Sequence, residues 1–350
     1  MDFKGRKRDS QHRTVTFPPA AAIIKSTMSS PFPAASATVS PHDLERHLAT
    51  AKARVQNPAA GLFGPESLTW RINRESALFL GAGRAALLQL AHPWVAVALE
   101  QHSSLLAKPI ARFHNTFRVV FTMIFGSAPQ AFRVARSLYQ LHTAITGELP
   151  GDVAGYAKAS RYQALHQPAL LWVYATLVDS ALIAFQSVLP SLQPPELDAW
   201  YDESKLLAGL FGLTPDALPA NWTSFQTYIS EVCASQALGV DGRSRAMAHR
   251  IMTGSGSAVR IPRWYQAITA QWLPPRFREE FALPFGPIEK ARATAALRNL
   301  PRLYAMLPTA LRYVGPYREA QARLAGRPTG FITHCSNRFW IGQPRLPSAE

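Results

Sequence analysis

His142 is the side chain of this sequence best placed for cofactor chemistry. It lies in VARSLYQLHTAIT, residues 134–146. Four apolar residues mark the predicted buried face of this amphipathic helix: Val134, Leu138, Leu141 and Ile145. A neutral imidazole at or beside that face can ligate iron through one ring nitrogen while the other donates a hydrogen bond. Spacing by itself favours a plainer interpretation, a core histidine whose two nitrogens are both hydrogen-bonded.

Three polar residues, Arg112, Asn115 and Thr116, precede His142 by one predicted helix, in the stretch RFHNTF. Arg112 and Thr116 are one turn apart and share a helix face, whereas the adjacent Asn115 points elsewhere. Together with His142 they can build a haem pocket with one histidine ligand. HExxH and CxxC motifs and a His/carboxylate triad are absent, which disfavours a bare metal site, and without CxxCH a c-type haem is excluded.

These groups must be positioned by helices. After residue 40, apolar residues recur mainly with helical spacing, and the alternation typical of strands is almost absent. The predicted helices cover about 66–91, 94–107, 109–125, 128–146, 166–189, 195–212, 222–236, 243–253, 263–272 and 287–313. No repeat or Gly/Ser linker divides the chain after residue 40. We therefore predict an all-α fold, a single predominantly helical globular domain over 40–350.

The first 39 residues are rich in Pro, Ser, Thr and Ala and show no helical period, which predicts a disordered N-terminal extension over 1–39. Ser40 and Pro41 then carry the pattern of a helix start. The basic residues of the extension leave organelle targeting open, and Met28 is an alternative to Met1 as the initiator.

Charge and cysteine content narrow the protein class. The formal net charge is +15, but the basic residues are scattered and no nucleic-acid motif accompanies them, so we expect no nucleic-acid partner. Peripheral contact with an anionic membrane stays open. The two cysteines form no framework, which is typical of a reducing compartment, and we expect a cytoplasmic protein. The apolar run Ala169–Phe185 is interrupted by Asp179 and predicts a buried core helix.

A glycine motif in the sequence suggests a different site, one for a dinucleotide. Gly81 to Ala86, GAGRAA, fits the dinucleotide fingerprint G-x-G-x-x-A. That fingerprint needs a preceding strand and a βαβ unit, whereas WRINRESALFL before Gly81 is charged and helix-like. We expect Gly81 and Gly83 to permit close helix packing instead.

Ordered motifs over roughly Pro65 to Phe285 resemble the haem-dependent oxygenase family of latex clearing protein (rubber oxygenase) and the MpaB-type oxygenases. The motifs are Gly83-Arg84 leading to Gln89, His92 and Pro93; Arg112 with Thr116; Leu141-His142 with Gly147; Pro168 with Trp172-Val173; and the stretch around Leu210–Leu213. The resemblance implies a globin-like pocket for haem b and use of O2 on a carbon–carbon double bond of a hydrophobic, isoprenoid or lipid-like substrate.

Under this resemblance His142 is the proximal iron ligand. Arg112 pairs a haem propionate or stabilises charge on bound oxygen, with a surface arginine as the alternative. Asn115 and Thr116 are the candidate hydrogen-bond partners of oxygen, at most one of them in direct contact; Thr116 can instead bond back to its own helix. Arg84 is a second propionate candidate, with ordinary packing as the alternative.

Two departures from the family pattern keep a second function open. Tyr174 stands where family members commonly carry histidine, and Asn115 stands where the rubber-cleaving branch carries lysine. The second change disfavours rubber as the substrate. The alternative is a non-catalytic helical protein that binds haem or lipid in a degenerate pocket.

Overall fold

The computed structural model describes residues 38–102, 109–256 and 259–348. Residues 1–37 of the predicted extension, with Met28, lie outside the described residues. Thr38 pairs with His166 in an isolated bridge, and Val39 is buried in the core. The amide of Val39 donates to the carbonyl oxygen of Leu165 at 2.9 Å, which fixes this entry into the fold.

Helices dominate the described residues, which confirms the predicted all-α class. The α-helices are α1 (Pro41–Arg54), α2 (Leu68–Asn73), α3 (Ala82–Leu90), α4 (Pro93–His102), α5 (Pro109–Phe125), α6 (Ala128–Thr143), α7 (Gln167–Gln186), α8 (Pro194–Leu210), α9 (Trp222–Ala234), α10 (Gly242–Thr253), α11 (Arg263–Trp272), α12 (Pro275–Glu280), α13 (Pro287–Met306), α14 (Thr309–Arg312), α15 (Gly315–Leu324) and α16 (Phe331–Ile341). Short 3₁₀ helices occupy Ser76–Gly81 and Pro215–Ala217, and β1 (Thr146–Glu148) pairs antiparallel with β2 (Arg161–Gln163). The division into one domain over 40–350 stays a prediction.

Local sequence determines where the helices that frame the site begin. The Ser127 hydroxyl accepts from the amide of Gln130, and the Gln130 side chain accepts from the Ser127 amide, so a capping box starts α6. Ser40 and Asp43 form the same motif at α1, with Pro41 in the first turn, which confirms the predicted start.

The most apolar helix, α7, lies inside the protein. Among the described helices it alone is long and apolar enough to cross a membrane, yet 78% of its most apolar window is buried. It packs against the 3₁₀ helix Ser76–Gly81 and against α3. Trp172 is fully buried and donates from Nε1 to the carbonyl oxygen of Leu88 at 2.8 Å. These contacts confirm the predicted core helix.

Two large apolar clusters form most of the core in the described residues. One joins α3 and α7–α10 through residues such as Leu87, Trp172 and Phe225; the other joins α1, α5, α6 and α16 through Phe121 and Ile341. Burying a large apolar side chain contributes about 1.5–3 kcal/mol relative to leaving it in water, so both clusters hold the fold.

The last helix is tied to the first 3₁₀ helix by an aromatic stack. The rings of Trp340 in α16 and Phe79 lie parallel, with centroids 3.7 Å apart. Phe117 meets Phe79 edge-on at 4.6 Å, and α16 packs along α5. The C-terminal helix therefore covers one side of α5.

Some predicted helices are divided. The stretch 66–91 forms α2, a 3₁₀ helix and α3, because the backbone of Glu75 bridges to Tyr313 and interrupts the helix. The stretch 287–313 forms α13 and α14, separated by residues 307–308, which include Pro308.

Candidate functional site

The pairing of Arg112 with His142 follows from a helical hairpin. Only Gly126 and Ser127 separate α5 from α6, so the two helices run antiparallel. Arg112 lies 13 residues before the end of α5, and His142 lies 14 residues after the start of α6. At 1.5 Å per residue both are about 20 Å from the turn, which brings them opposite each other.

The predicted buried face was wrong at Leu141, which is 57% exposed, because the fully buried residues of α6 lie in its first half, before residue 136. His142 itself is half-buried and carries no charge at neutral pH. Burial, together with the positive charge of Arg112, lowers the pKa of its imidazole to about 4. Among the described residues, no side chain or backbone group forms a hydrogen bond with its ring. A neutral imidazole is the form that ligates iron, through its unprotonated ring nitrogen.

Arg112 is half-buried beside it, and burial lowers the pKa of its guanidinium. Within the described part of the chain, no carboxylate lies within ion-pair distance of this side chain. The neighbouring residues 103–108, SSLLAK, contain no acidic residue either. A partly desolvated cation without a counter-ion fits an anionic group such as a propionate.

Thr116 faces a narrow apolar cavity one turn further along α5. The cavity, of about 70 Å³, lies between α5, α3, α7 and α8. It is lined by Phe117 and Val120, by the small residues Gly81, Ala82 and Ala85, and by Tyr174 and Ser204, among others. This volume holds a few water molecules and is too small for a tetrapyrrole, so the haem-binding interpretation rests on the Arg112–His142 side.

Tyr174, the departure from the family pattern, faces the same cavity as Thr116. Its hydroxyl lies 2.7 Å from Ser204 Oγ, and burial raises its pKa above the usual value. Ser204 in turn donates to the carbonyl oxygen of Tyr201 at 2.7 Å. The sequence alone indicated no role for Ser204, since no motif includes it. Helices α7 and α8 thus add one hydroxyl pair to a wall that is otherwise mostly apolar.

The hydroxyl of Thr116 donates to the carbonyl oxygen of Arg112 at 3.1 Å, so it bonds back to its own helix. Asn115, in contrast, is exposed. Thr116 lines the cavity, but its proton is used within its own helix, which is the alternative that the sequence left open.

Arg84 is buried and its donors are used within the protein. Nη2 lies 2.7 Å from Asp179, Nη1 donates to Ser180 Oγ at 2.8 Å, and Nε donates to the carbonyl oxygen of Trp272 at 3.0 Å. This geometry favours the packing alternative over a contact with a propionate.

Both glycines of the fingerprint-like stretch allow close packing, as predicted. A Cβ at Gly81 would overlap the carbonyl oxygen of Ser180 in α7, and one at Gly83 would lie 2.9 Å from Thr269 Oγ1. The residues before Gly81 form a 3₁₀ helix rather than a strand, which contradicts the requirement of a dinucleotide site.

His92 lies apart in a buried aromatic cluster. Its ring centroid is 5.6 Å from that of Tyr156, and Trp94 packs between Tyr156 and His166. Burial and the neighbouring His166 lower the pKa of His92 to about 3. We interpret this cluster as part of the framework around α4.

Comparison with known proteins identifies the family. Residues 69–323 match the family model described as the ER-bound oxygenase mpaB/B′ and rubber oxygenase catalytic domain. No curated protein and no solved structure gives a significant match. The matched region begins close to the predicted Pro65 and extends beyond Phe285 into α15, and it contains Arg112, Thr116 and His142. Since it covers well over half of the 350 residues, the chain belongs to the mpaB/rubber oxygenase catalytic-domain family, a family of oxygenases.

Proposed function

We propose that this protein is a haem b-dependent oxygenase that uses O2 on a carbon–carbon double bond of a hydrophobic, isoprenoid or lipid-like substrate. The observation that carries the proposal is the pairing of Arg112 and His142. A neutral imidazole without a described hydrogen-bond partner lies beside a guanidinium without a described carboxylate. Membership of an oxygenase family supports the reaction class.

Each residue has a distinct task in this proposal. His142 holds the iron through a ring nitrogen, and Arg112 neutralises a propionate or a developing negative charge. Thr116 can accept a hydrogen bond from a small ligand, since its own proton is donated within α5, and Tyr174 with Ser204 places a hydroxyl pair in the wall of the cavity. Haem b, when bound, would supply the chemistry that inserts dioxygen at the double bond with cleavage to carbonyl products.

An apolar substrate is supported by the wall of the cavity. Phe117, Val120 and Val178 exclude water from the space beside Thr116. A substrate with few polar groups loses little hydration on entering such a space. Widening of the cavity is required, because about 70 Å³ does not hold an isoprenoid chain.

The test begins with haem content. We expect the full-length protein, supplied with haem, to show a Soret band and about one haem b per chain by the pyridine haemochrome assay. His142→Ala should lose the haem, and added imidazole should restore the band in His142→Gly, where the ring can be replaced. Oxygen uptake with unsaturated lipids, and carbonyl products by mass spectrometry, then test turnover.

His114→Ala is the matched control. His114 lies on the same hairpin, and its Nε2 contacts the carbonyl oxygen of Phe339 at 3.0 Å. This variant should keep its haem. Failure of the wild type to take up haem, or equal haem content in His142→Ala, would overturn the proposal, and His142 would be a half-buried structural histidine.

The small cavity and Tyr174 favour one alternative, a non-catalytic haem- or lipid-binding protein. It predicts haem uptake that depends on His142 but no oxygen-dependent conversion of any alkene. The two candidate functions therefore give the same spectrum and differ in turnover.

A further inference from the structure

The C-terminal part of the chain carries an extreme charge imbalance. Between Lys290 and Ser348 the sequence holds ten basic residues and one acidic residue, Glu319, which is buried. Six of the basic side chains are exposed: Lys290, Arg298, Arg302, Arg327, Arg338 and Arg345. This part of the surface is therefore positive, with no exposed acid of its own to neutralise it.

Large apolar side chains are exposed in the same part of the chain. Of the twelve that are exposed among the described residues, seven lie between residues 303 and 339. Four of them, Leu303, Met306, Leu307 and Leu311, surround the turn between α13 and α14, and we call them the apolar tip. Met306 is 79% exposed. A concentration of apolar side chains in water indicates an interaction surface.

Basic and apolar side chains are ordered along α13. Arg298 and Arg302 are one turn apart, and Met306 follows one turn later, so all three share a face. Leu303 and Leu307 extend this face at the end of the helix. Arginines one or two turns behind an apolar end suit an interface in which apolar groups enter a hydrocarbon layer and guanidinium groups meet phosphates.

We propose that the apolar tip inserts into an anionic phospholipid membrane and that the basic residues behind it bind the headgroups. Charge decides between this occupant and a second copy of the chain. Two copies meeting at the tip would bring Arg298 and Arg302 of each against like charges, on a molecule whose formal net charge is +15. An anionic bilayer complements the charge and buries all four apolar side chains at once.

The tip adjoins the cavity described above. The hydroxyl of Ser76 donates to the carbonyl oxygen of Leu311 at 3.0 Å, and Leu78 and Gly81 of the same 3₁₀ helix line the cavity. One six-residue 3₁₀ helix thus links the membrane-facing end to the site. Delivery of an apolar substrate along this route rests on the proposed function, whereas membrane binding does not.

Co-sedimentation of the full-length protein with phospholipid vesicles tests the proposal. We expect pelleting with vesicles of phosphatidylcholine and phosphatidylserine, little with phosphatidylcholine alone, and a decrease with added salt because the charges are screened. Met306→Glu/Leu307→Glu should abolish pelleting. Arg298→Gln/Arg302→Gln should weaken it by about fivefold for each charge removed.

Ile288→Glu is the matched control, because Ile288 is 67% exposed at the opposite end of α13, roughly 25 Å away. It should pellet like the wild type, and circular dichroism should show that all variants fold. The proposal is overturned if the wild type pellets equally with and without phosphatidylserine, or if Met306→Glu/Leu307→Glu pellets as well as the wild type. It is also overturned if the wild type fails to pellet; a dimer that Met306→Glu/Leu307→Glu separates would then identify a second copy of the chain as the occupant of the tip. These outcomes do not depend on haem content, so they are distinguishable from a failure of the proposed function.

Discussion

At the scale of single residues, Arg84 and Asp179 form a buried ion pair. Both side chains are almost completely removed from water, and their charged atoms lie 2.7 Å apart. Gln226 adds a hydrogen bond to Asp179 at 3.0 Å, and Ser180 and Trp272 satisfy Arg84. A buried charge is tolerated only when it is paired and hydrogen-bonded in this way.

We expect Asp179→Asn to lower the free energy of unfolding by about 3–5 kcal/mol, because it leaves the Arg84 charge buried without its ion partner. Arg84→Met/Asp179→Leu should recover most of this loss, since it removes both charges and keeps the volume. Urea unfolding followed by circular dichroism measures both.

The exposed pair Arg136–Glu45 provides the comparison, with nitrogen and oxygen 2.7 Å apart as well. Glu45→Gln should cost less than about 1 kcal/mol, because solvent screens this pair. Equal losses for Asp179→Asn and Glu45→Gln would contradict the importance given to burial.

The sequence allowed different degrees of prediction at this scale. The proximity of Arg112 and His142 is a consequence of a two-residue turn between adjacent helices, and it could be anticipated from a hairpin. The partner of Arg84 could not, because Asp179 is far away in sequence and the pair forms only when α3 packs on α7. Ser204 was missed for the same reason.

At the scale of elements, contacts distant in sequence divide helices that the local pattern predicts as continuous. The carboxylate of Glu75 accepts from the hydroxyl of Tyr304 at 2.9 Å and lies 3.3 Å from Arg312. These partners hold the chain out of helical geometry between α2 and α3. A prediction from periodicity uses only the local spacing of apolar residues, so it gives one continuous helix across the break.

Short helices and the small hairpin were also missed. Helix α12 has six residues, begins at Pro275 and follows one further proline, Pro274, and β1 and β2 have three residues each. Helix α16 carries β-branched and aromatic residues, whose helical propensity is low, and packing on α5 overrides it. Longer helices were predicted within a few residues, for example α7, predicted over 166–189 and observed at Gln167–Gln186.

We expect Gly81→Ala to separate the first 3₁₀ helix from α7, because the added Cβ would overlap the carbonyl oxygen of Ser180. The free energy of unfolding should fall by about 1–3 kcal/mol, as for other overpacked sites. Gly242→Ala is the control: it lies in the first turn of α10, and a Cβ there meets no atom within 4 Å. Thermal unfolding should show Gly242→Ala unchanged or more stable; a neutral Gly81→Ala would contradict the packing role.

At the scale of the whole molecule, a buried neutral histidine makes the free energy of unfolding depend on pH. His92 is 1% exposed, and burial together with His166 lowers its pKa to about 3. In the unfolded chain a histidine titrates near about 6.5. Between these values the unfolded state binds a proton that the folded state does not, so this contribution to stability is complete above pH ~6.5 and is lost as the pH falls toward 3.

We expect urea unfolding to show a smaller loss of stability between pH ~7.5 and ~5 in His92→Gln than in the wild type, by about 1–2 kcal/mol. His42→Gln, at an exposed position of α1, should keep the wild-type dependence. Identical pH dependence in His92→Gln and the wild type would show that His92 is not held neutral by folding.

The stacking of Trp340 on Phe79 has a consequence for the design of chimeras between members of this family. The matched family region ends at Arg323, whereas the ring that covers Phe79 belongs to α16, beyond that limit. The region of family similarity therefore ends before the last helix that packs on it. In a chimera that transfers only residues 69–323 of this chain to a relative, Phe79 would lose Trp340 as its stacking partner. It would face the C-terminal helix of the other protein instead. For this protein, the unit that can be transplanted includes its last helix.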